Sequence, residues 1–531
     1  TLPQEYPAFG NGDFRTPAYQ LQAPDGSTVT EFVYDSHEIF KGKPRLIGLP
    51  MAYVEKEDEA DTLVITLVDS MLGVGLNLHY TIYRDFEVIT RSISFENLGS
   101  REVKIEKCMS MSVDFHDSNW DWLHLQGTWA RERQIERRPM THGVQSISST
   151  RGASSHQQNP FLALLSKDAT EDHGKVYGMS LVYSGNFQAS IEVDPFEITR
   201  IGMGINPFNF SWALTPGEIF QTPEVMMVYS SEGLGGMSRT FHKMIRSRIC
   251  RGGYRDRARP ILINNWEATY FQFTEKKLKE IADAAKELGV ELFVLDDGWF
   301  GRRDNAKSSL GDWEVNRKKL PNGLNGLARY LNGKGMQFGL WVEPEMVSPD
   351  SDLYRRHPDW CLHVPGRNRT LSRNQLVLDL SRNDVCEWLI DTLTTLFQSA
   401  PISYVKWDMN RNMTEVGSAA LPPERQKETA HRYMLGLYRI IEELTSRFPE
   451  ILFESCSGGG GRFDLGMLYY MPQTWTSDDT DAVERLKIQY GTSLVYPAIT
   501  MGAHVSDVPN HQVGRVTPLQ MRCHVAMAAN L

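Results

Sequence analysis

The sequence predicts a multidomain chain in which an antiparallel β-sandwich precedes a (β/α)8 TIM-type barrel. Apolar and polar residues alternate in residues 63–98, whereas short apolar runs alternate with amphipathic helices from Pro260 onward. A length of 531 residues is too long for one core. Polar residues follow nearly every strand of the second part, as at the carboxyl ends of barrel strands, whereas a doubly wound sheet would concentrate them at one switch point.

Composition excludes several classes of function. The net charge is −10 and the basic residues are scattered, so we predict no nucleic-acid partner. No apolar run approaches the ~20 residues that cross a bilayer, and the first residues lack signal-peptide features. We therefore predict no membrane partner and a cytoplasmic location. The six cysteines form no CxxC pairs, which indicates reduced thiols rather than a zinc site or a disulfide framework.

The chain divides into three predicted segments. Residues 1–232 form the β-sandwich, residues 233–258 a helical linker, and residues 259–531 the barrel. Within the sandwich, the tryptophans are interpreted as core residues, with the lining of a sugar groove as the alternative. These tryptophans are Trp120, Trp122 and Trp129. The chain begins without Met and ends in AMAANL, in the middle of a pattern, so we expect it to be part of a longer protein.

Eight strands are predicted in the barrel. The helices between them include residues 274–288, with Gly289 as the stop, and residues 434–444. The predicted strands are residues 261–266, 292–299, 337–345, 375–381, 402–408, 451–457, 474–479 and 496–507.

The ends of these strands carry carboxylates, tryptophans and one lysine. This mixture suits an uncharged polyhydroxylated ligand, because carboxylates and lysine bind hydroxyls while indole rings cover the apolar face of a sugar. Acetal cleavage needs two carboxyl groups, and several candidates are present. The candidates at the strand ends are Trp266, Asp296, Asp297, Trp341, Glu343, Glu345, Lys406, Asp408, Cys456, Asp478, Asp479 and Asp481.

Structural alternatives exist for each motif. Asp296 and Asp297 could cap a loop, and Lys406 with Asp408 could be an ion pair. The string SDDTDAVER could open a helix with Ser477 or Asp478 as N-cap, or ligate calcium, although it fails the EF-hand pattern. ESCSGGGGR could hold a phosphate, but it lacks the GK[ST] of a P-loop. One of the glutamates that flank Pro344 could be buried structure.

Five strings resemble glycoside hydrolase family 36, the microbial α-galactosidases. They are LFVLDDGWFGRRD, FGLWVEPEMV, YVKWDMNR, FESCSGGGGRFD and WTSDDTDA. The resemblance covers nearly the whole chain. It implies an N-terminal β-supersandwich, a central (β/α)8 barrel and a C-terminal β domain. It also implies hydrolysis of terminal α-1,6-linked galactose from melibiose, raffinose and related oligosaccharides with retention, usually by a homotetramer.

The resemblance also implies roles for individual residues. It makes Asp408 the nucleophile and Asp478 the acid/base, with no metal or organic cofactor. It places Asp296 and Asp297 at the galactose 4- and 6-hydroxyls and makes tryptophans the walls of the sugar site. Those walls are Trp266 and Trp341. The resemblance places Lys406 and Arg373 at ring hydroxyls, and it places Asn410, Cys456 and Gly459 on the 2-hydroxyl side.

The strand count departs from the family pattern. Family members carry the nucleophile after the fourth barrel strand, but residues 402–408 are the fifth strand predicted here. We therefore interpret residues 375–381 as an extra element and place the eighth strand and the C-terminal β domain beyond Leu531. Other functions remain open: a galactosyltransferase of the raffinose-synthase kind, an α-N-acetylgalactosaminidase, or a non-catalytic galactoside-binding protein.

Overall fold

The computed structural model describes residues 4–531, and its first part is antiparallel as predicted. The strands of this part are β1 (Tyr19–Gln22), β2 (Val33–Lys41), β3 (Ala60–Asp69), β4 (Val74–Tyr83), β5 (Val88–Asn97), β6 (Val103–Phe115), β7 (Trp120–Thr128), β8 (Arg131–Pro139), β9 (Gly143–Ser148), β10 (Gln158–Ser166), β11 (Val176–Leu181), β12 (Phe187–Val193), β13 (Thr199–Ile205), β14 (Trp212–Leu214), β15 (Ile219–Gln221) and β16 (Val225–Ser230).

These strands form two packed sheets. One has six strands in the order β1-β6-β13-β12-β9, with β14 also on β6. The other has ten strands in the order β2-β3-β4-β5-β16-β11-β10-β7-β8, with β15 also on β5. Alternating side chains of β4 and β5 enter the core between the sheets, which is why Leu76, Leu78, Ile93 and Phe95 are buried. The β7–β8 hairpin lies at the edge of the larger sheet and turns at Trp129–Ala130, since Thr128 pairs with Arg131.

The second part contains a curled sheet of parallel strands, as expected for the predicted barrel. Seven strands form it in the order β17-β18-β19-β22-β23-β24-β25. The strands of the second part are β17 (Leu262–Asn264), β18 (Leu292–Leu295), β19 (Gln337–Val342), β20 (Met346–Val347), β21 (Leu376–Val377), β22 (Ile402–Trp407), β23 (Leu452–Ser455), β24 (Gln473–Trp475) and β25 (Met501–Gly502).

The interpretation of residues 375–381 as an extra element is confirmed. Their strand, β21, pairs antiparallel with β20 in a separate two-stranded sheet. The strand before Asp408, β22, is therefore the fourth of the parallel sheet. Asn530 forms a parallel bridge with Gly502, and the Leu262 amide donates to the Leu531 carbonyl at 3.3 Å. Asn530 and Leu531 therefore occupy the eighth position of the ring, which corrects the expectation that this position lies beyond Leu531.

Helices cover the outer face of the parallel sheet and join it to the sandwich. Helix α1 joins the two parts, continues as a π-helical turn at Ile245–Ile249, and falls within the predicted linker. The helices are α1 (Gly233–Met244), α2 (Trp266–Thr269), α3 (Glu275–Glu287), α4 (Gly323–Gly333), α5 (Asp352–Arg356), α6 (Asn383–Gln398), α7 (Thr429–Arg447), α8 (Leu465–Tyr470), α9 (Ala482–Ser493) and α10 (Leu519–Ala526).

Local sequence explains where these helices begin and which face they bury. Thr274 caps α3 by accepting a hydrogen bond from the Lys277 amide, and Gly289 ends the turn after it at φ 86°. Helix α7 is longer than predicted and buries Met434, Leu437 and Leu444 along one face. Between residues 4 and 531, no helix combines the length and apolarity that a membrane crossing requires.

Candidate active site

A cavity of about 1460 Å³ opens at the carboxyl ends of the parallel strands. Sandwich loops, including Trp129 and His156, form part of its wall, and Leu288 and Val290 line a portion that continues toward the other end of the sheet. Of the predicted site residues, those that line the cavity are Trp266, Asp296, Asp297, Trp341, Arg373, Lys406, Asp408, Asn410, Cys456 and Asp478. Gly459 lies behind the wall, so its assignment to the substrate 2-hydroxyl stays a prediction.

The Asp408 carboxylate is buried and held by several donors. Its Oδ2 accepts from Asn410 Nδ2 at 2.6 Å and from Trp341 Nε1 at 3.2 Å. Its Oδ1 accepts from the amides of Met409 at 2.9 Å and Gly458 at 3.3 Å. These bonds fix the orientation of the carboxylate where β22 ends, because each oxygen is held by two donors.

Two cations keep Asp408 ionised. Burial opposes its charge, but Lys406 and Arg373, with the hydrogen bond from Asn410, hold the pKa of Asp408 below its usual value. Lys406 lies two residues earlier on β22 and therefore points to the same face of the sheet. Burial also opposes the charge of Lys406, but the neighbouring carboxylates raise the pKa of Lys406, Asp296 most of all.

The Asp478 carboxylate is half-buried and lies between two indoles. Trp129 Nε1 donates to its Oδ2 at 2.9 Å, and Trp475 Nε1 donates to its Oδ1 at 3.1 Å. Trp475 ends β24, whereas Trp129 comes from the sandwich hairpin. The two indole donors hold the carboxyl group toward the cavity, since a neutral indole nitrogen can only donate.

The glycine-rich loop after β23 links the surroundings of the two carboxylates. Gly458 and Gly459 have φ of 52° and 81°, a conformation that suits glycine. While Gly458 donates to Asp408, a Cβ on Gly459 would lie 2.6 Å from the Asp478 amide nitrogen. The glycines are therefore needed for close packing of two backbone loops. Loop amides also bond internally, since Ser457 donates to the Gly459 carbonyl, which does not fit a phosphate cradle.

Asp296 and Asp297 follow β18 and have different partners. Asp296 accepts from Asn264 at 2.6 Å and from Lys406 at 3.1 Å. Asp297 pairs with Arg303, whose Nη2 lies 2.8 Å from its Oδ2. Burial raises the pKa of Asp297, although the Arg303 charge opposes this effect.

The other predicted binding residues surround Asp408. Arg373 has a left-handed backbone (φ 51°) and donates to Asn410 Oδ1 at 2.8 Å, so it orients the amide that holds Asp408. Trp341 is buried, while Trp266 starts α2 at the rim. Burial and the nearby Asp408 charge raise the pKa of the Cys456 thiol well above its usual range, so the thiol is neutral.

The two glutamates around Pro344 are both buried, and they have different roles. Glu345 pairs with Arg462 at 2.6 Å and accepts from Trp407 and Tyr433, so it is structural. Glu343 Oε1 accepts from the Asn410 amide and from Gln375 Nε2, both at 2.7 Å. Burial and the adjacent Asp408 charge raise the pKa of Glu343, which favours its protonated form.

The structure corrects two interpretations of the sequence. Trp122 is buried and Trp120 packs against the core, as predicted, but Trp129 is 54% exposed and lines the cavity. The N-cap of α9 is Asp481, which accepts from the Val483 and Glu484 amides, rather than Ser477 or Asp478. Hairpin tips carry no periodic signal, so the sequence pattern does not distinguish Trp129 from Trp120 and Trp122.

The acidic string around Asp478 does not resemble a calcium site. Asp479 pairs with Arg131 of the sandwich, and Asp481 pairs with Arg515. Within residues 4–531, no group of three or more His, Cys, Asp or Glu side chains is arranged to hold a metal ion. Asp479 and Asp481 are thus engaged by arginines, and Asp481 also by helix capping.

The fold and the site together define the class of a glycoside hydrolase. A curled parallel sheet carries two carboxylates and several tryptophans into one cavity that is large enough for a sugar. Acetal cleavage requires two carboxyl groups, and here cations keep Asp408 ionised while two indoles hold Asp478.

Family models identify both parts of the chain. Residues 219–531 match the Melibiase model, and residues 1–215 match the model of the glycosyl hydrolase family 36 N-terminal domain. The chain belongs to glycoside hydrolase family 36, as its motifs indicated.

Curated proteins and solved structures agree with this assignment. The chain is 67% identical to alpha-galactosidase AgaA of Geobacillus stearothermophilus, over 100% of this chain and 73% of the relative. It is 51% identical to alpha-galactosidase Mel36A of Lactobacillus acidophilus, over 100% and 72%. A crystal structure of an AgaA variant in complex with raffinose superposes with a TM-score of 0.99, covering 99% of this chain and 73% of that one. The alpha-galactosidase from Lactobacillus brevis, 48% identical, gives 0.98 with 99% and 71% coverage.

Proposed function

We propose that this protein is a retaining α-galactosidase that releases terminal α-linked galactose, mainly α-1,6-linked, from melibiose, raffinose and related oligosaccharides. The observation that carries this proposal is the pair of carboxylates in one cavity, with Asp408 beside two cations and Asp478 between two indoles. Variants of one relative, AgaA, crystallised with raffinose and with stachyose, support the substrate class.

The proposed mechanism is a double displacement. Asp408 attacks the anomeric carbon while Asp478 protonates the leaving glycosidic oxygen, which gives a galactosyl-enzyme ester. Water then attacks the same carbon while Asp478 accepts its proton, so galactose leaves with its original configuration. This scheme requires the two carboxyl groups to lie about 5 to 5.5 Å apart, whereas inversion requires ~6.5 to 9.5 Å.

Selectivity for galactose follows from three polar side chains of the same cavity. We assign Asp296 and Asp297 to the 4- and 6-hydroxyls, with Lys406 on a neighbouring ring hydroxyl. The side chains of Asp296 and Asp297 are buried, so a sugar without the axial 4-hydroxyl would leave a carboxylate oxygen without a partner. Trp266 and Trp341 cover the apolar sugar face, and Arg373, like Lys406, binds a ring hydroxyl. The 2-hydroxyl side is assigned to Asn410, Cys456 and Gly459.

Product analysis tests the proposal. Incubation with p-nitrophenyl α-galactoside should release p-nitrophenol, and proton NMR should show α-galactose as the first anomer formed. Galactose binding without release of p-nitrophenol would identify a non-catalytic binding protein. A faster reaction with the N-acetylgalactosaminide would identify an α-N-acetylgalactosaminidase.

A second assay separates hydrolysis from transfer. With melibiose and excess sucrose, a hydrolase gives mainly free galactose, and an enzyme of the raffinose-synthase kind gives mainly raffinose. Asp478 and Trp266 are partly exposed and border the cavity, so water can reach the galactosyl-enzyme. This access favours hydrolysis over transfer to sucrose.

We also infer a cytoplasmic location and a homo-oligomer, which in this family is usually a tetramer. All six cysteines are free thiols and five are buried, which suits a reducing compartment. Val33, Tyr34 and Ile39 are exposed on β2, an edge strand that a second copy could cover. Light scattering after size-exclusion chromatography would measure the oligomeric state.

A further inference from the structure

The β7–β8 hairpin of the sandwich reaches the acid/base end of the barrel. Trp129 stands at its tip, 349 residues before Asp478 in sequence, and its Nε1 lies 2.9 Å from Asp478 Oδ2. The side chain is 54% exposed, so packing into a core does not explain its position. Its indole instead borders the cavity together with Ala130 and Arg131.

The three residues after the tip attach the hairpin to the Asp478 loop. Arg131 forms an ion pair with Asp479. The Ser477 hydroxyl donates to Glu132 Oε2 at 2.5 Å. The buried Arg133 guanidinium donates to the Thr476 carbonyl and, at 2.9 Å, to the Gly460 carbonyl.

The backbone of the hairpin is strained where these contacts form. Ala130 and Arg133 have φ of 62° and 51°, a region that residues other than glycine rarely occupy. Such strain persists where surrounding contacts impose it, and here those contacts are bonds to the Asp478 loop. Hairpin and loop therefore act as one rigid unit.

We propose that Trp129 is a positioning residue for the acid/base carboxyl of Asp478, and that residues 131–133 hold Trp129 in place by bonding the Asp478 loop. The proposal rests on the retaining mechanism proposed above. It makes the sandwich a part of the catalytic apparatus rather than only a support for the barrel.

The chemistry of the first step explains why this position matters. The Asp478 proton must pass to the leaving oxygen as the bond to the anomeric carbon breaks, and the carboxylate that remains keeps the Trp129 and Trp475 N–H bonds. An indole nitrogen donates but cannot accept, so it stabilises this carboxylate and does not compete for the proton. Without the Trp129 N–H, Oδ2 loses the donor that orients it.

The test uses Trp129→Phe, which keeps an aromatic ring but removes the N–H, with two aryl α-galactosides of similar size. Phenyl α-galactoside has a poor leaving group that needs protonation, whereas p-nitrophenyl α-galactoside needs little. We expect kcat/KM for the phenyl substrate to fall about 10- to 100-fold, and for the p-nitrophenyl substrate to fall less than about 3-fold, because general acid catalysis contributes about 10²- to 10⁴-fold in all.

Trp120→Phe is the matched control. Trp120 lies on the same hairpin, and its buried indole nitrogen has no hydrogen-bond partner among residues 4–531. This variant should leave both kcat/KM values unchanged. In Arg131→Ala, kcat/KM for the phenyl substrate should also fall more than for the p-nitrophenyl substrate, but by a smaller factor. This variant removes the ion pair with Asp479 and leaves the Trp129 indole intact.

The outcomes separate the proposals. The comparison uses a Trp129→Phe protein whose melting temperature matches that of the wild type. If kcat/KM falls equally for both substrates, or falls for neither, the positioning role alone is overturned. Failure of the wild type to cleave either substrate would instead overturn the proposed α-galactosidase function.

Discussion

The Asp408 carboxylate is ionised because of its neighbours, and these neighbours are themselves held by hydrogen bonds. Lys406, Arg373 and Asn410 all favour the carboxylate, and Asn410 is held in turn by Glu343 and Arg373. A carboxylate oriented in this way is a suitable nucleophile, since it needs no reorganisation at the moment of attack.

Removal of the proposed nucleophile, Asp408, gives the most direct prediction for a single residue. Asp408→Gly should lose activity by several orders of magnitude while keeping its fold, because only the attacking group is missing. Azide should restore turnover of an activated α-galactoside and give β-galactosyl azide, which NMR can identify. Formation of the α-azide would instead assign the nucleophile to Asp478.

Glu343 offers a second prediction for a residue. Glu343→Gln should retain activity within about 10-fold, because its amide oxygen can still accept from the Asn410 and Gln375 nitrogens and because the protonated acid is the form that burial favours. Glu343→Ala should cost roughly 10- to 100-fold in kcat by freeing Asn410, as expected when a small displacement misplaces a reacting group. Equal activities of the two variants would exclude this positioning role.

At the scale of an element, the N-cap of helix α8 is a buried carboxyl group whose protonation depends on pH. Asp464 caps it by accepting from the Met467 amide at 2.9 Å, and the Ser184 and Ser154 hydroxyls each donate at 2.7 Å. Both serines belong to the sandwich. Burial raises the pKa of Asp464 from 3.8 to about 6 despite these bonds.

This shift predicts a pH dependence of stability. Between pH 3.8 and about 6 the folded protein holds the Asp464 proton while the unfolded chain releases it, so stability falls as pH rises, by up to ~3 kcal/mol. The Asp464→Asn variant has no carboxyl group that can titrate at this position. The difference in melting temperature, wild type minus Asp464→Asn, should therefore fall between pH 4 and pH 6.5 and stay constant above pH 6.5. A difference that is constant with pH would contradict the prediction.

At the scale of the whole molecule, sandwich and barrel share one core. A single cluster of buried apolar residues includes Leu181 and Tyr183 of the sandwich with Met434 and Tyr438 of α7. The Ser184 amide donates to the Tyr438 hydroxyl at 2.8 Å across this interface. We therefore expect the two parts to unfold together.

Tyr438→Phe tests this shared core. The change leaves the buried Ser184 amide without an acceptor, which costs about 1–3 kcal/mol. The single calorimetric transition should move to lower temperature without splitting. The control is Tyr470→Phe, because the Tyr470 ring stacks on the Tyr438 ring. The Tyr470 hydroxyl has no hydrogen-bond partner among residues 4–531. Two separate transitions in the wild type would show that the parts unfold independently.

Sequence patterns predicted most of the architecture because those patterns are local. Alternation identified the sandwich, helical periodicity identified α3 and α7, and the convergence of parallel strands brought Asp408, Asp478 and Lys406 to one cavity. Strand order was harder, since a two-residue strand such as β21 has the same composition as a barrel strand and differs only in its partner.

The sequence by itself determined the two domains and the strand ends that carry the two catalytic candidates, because periodicity and strand direction depend on neighbouring residues. Only the tertiary structure decided what surrounds those carboxyls: Trp129 on Asp478, Glu343 behind Asn410, and the glycine contact between the two loops. Such contacts join residues that are distant in the chain, and they form only when the whole fold brings two loops within hydrogen-bonding distance.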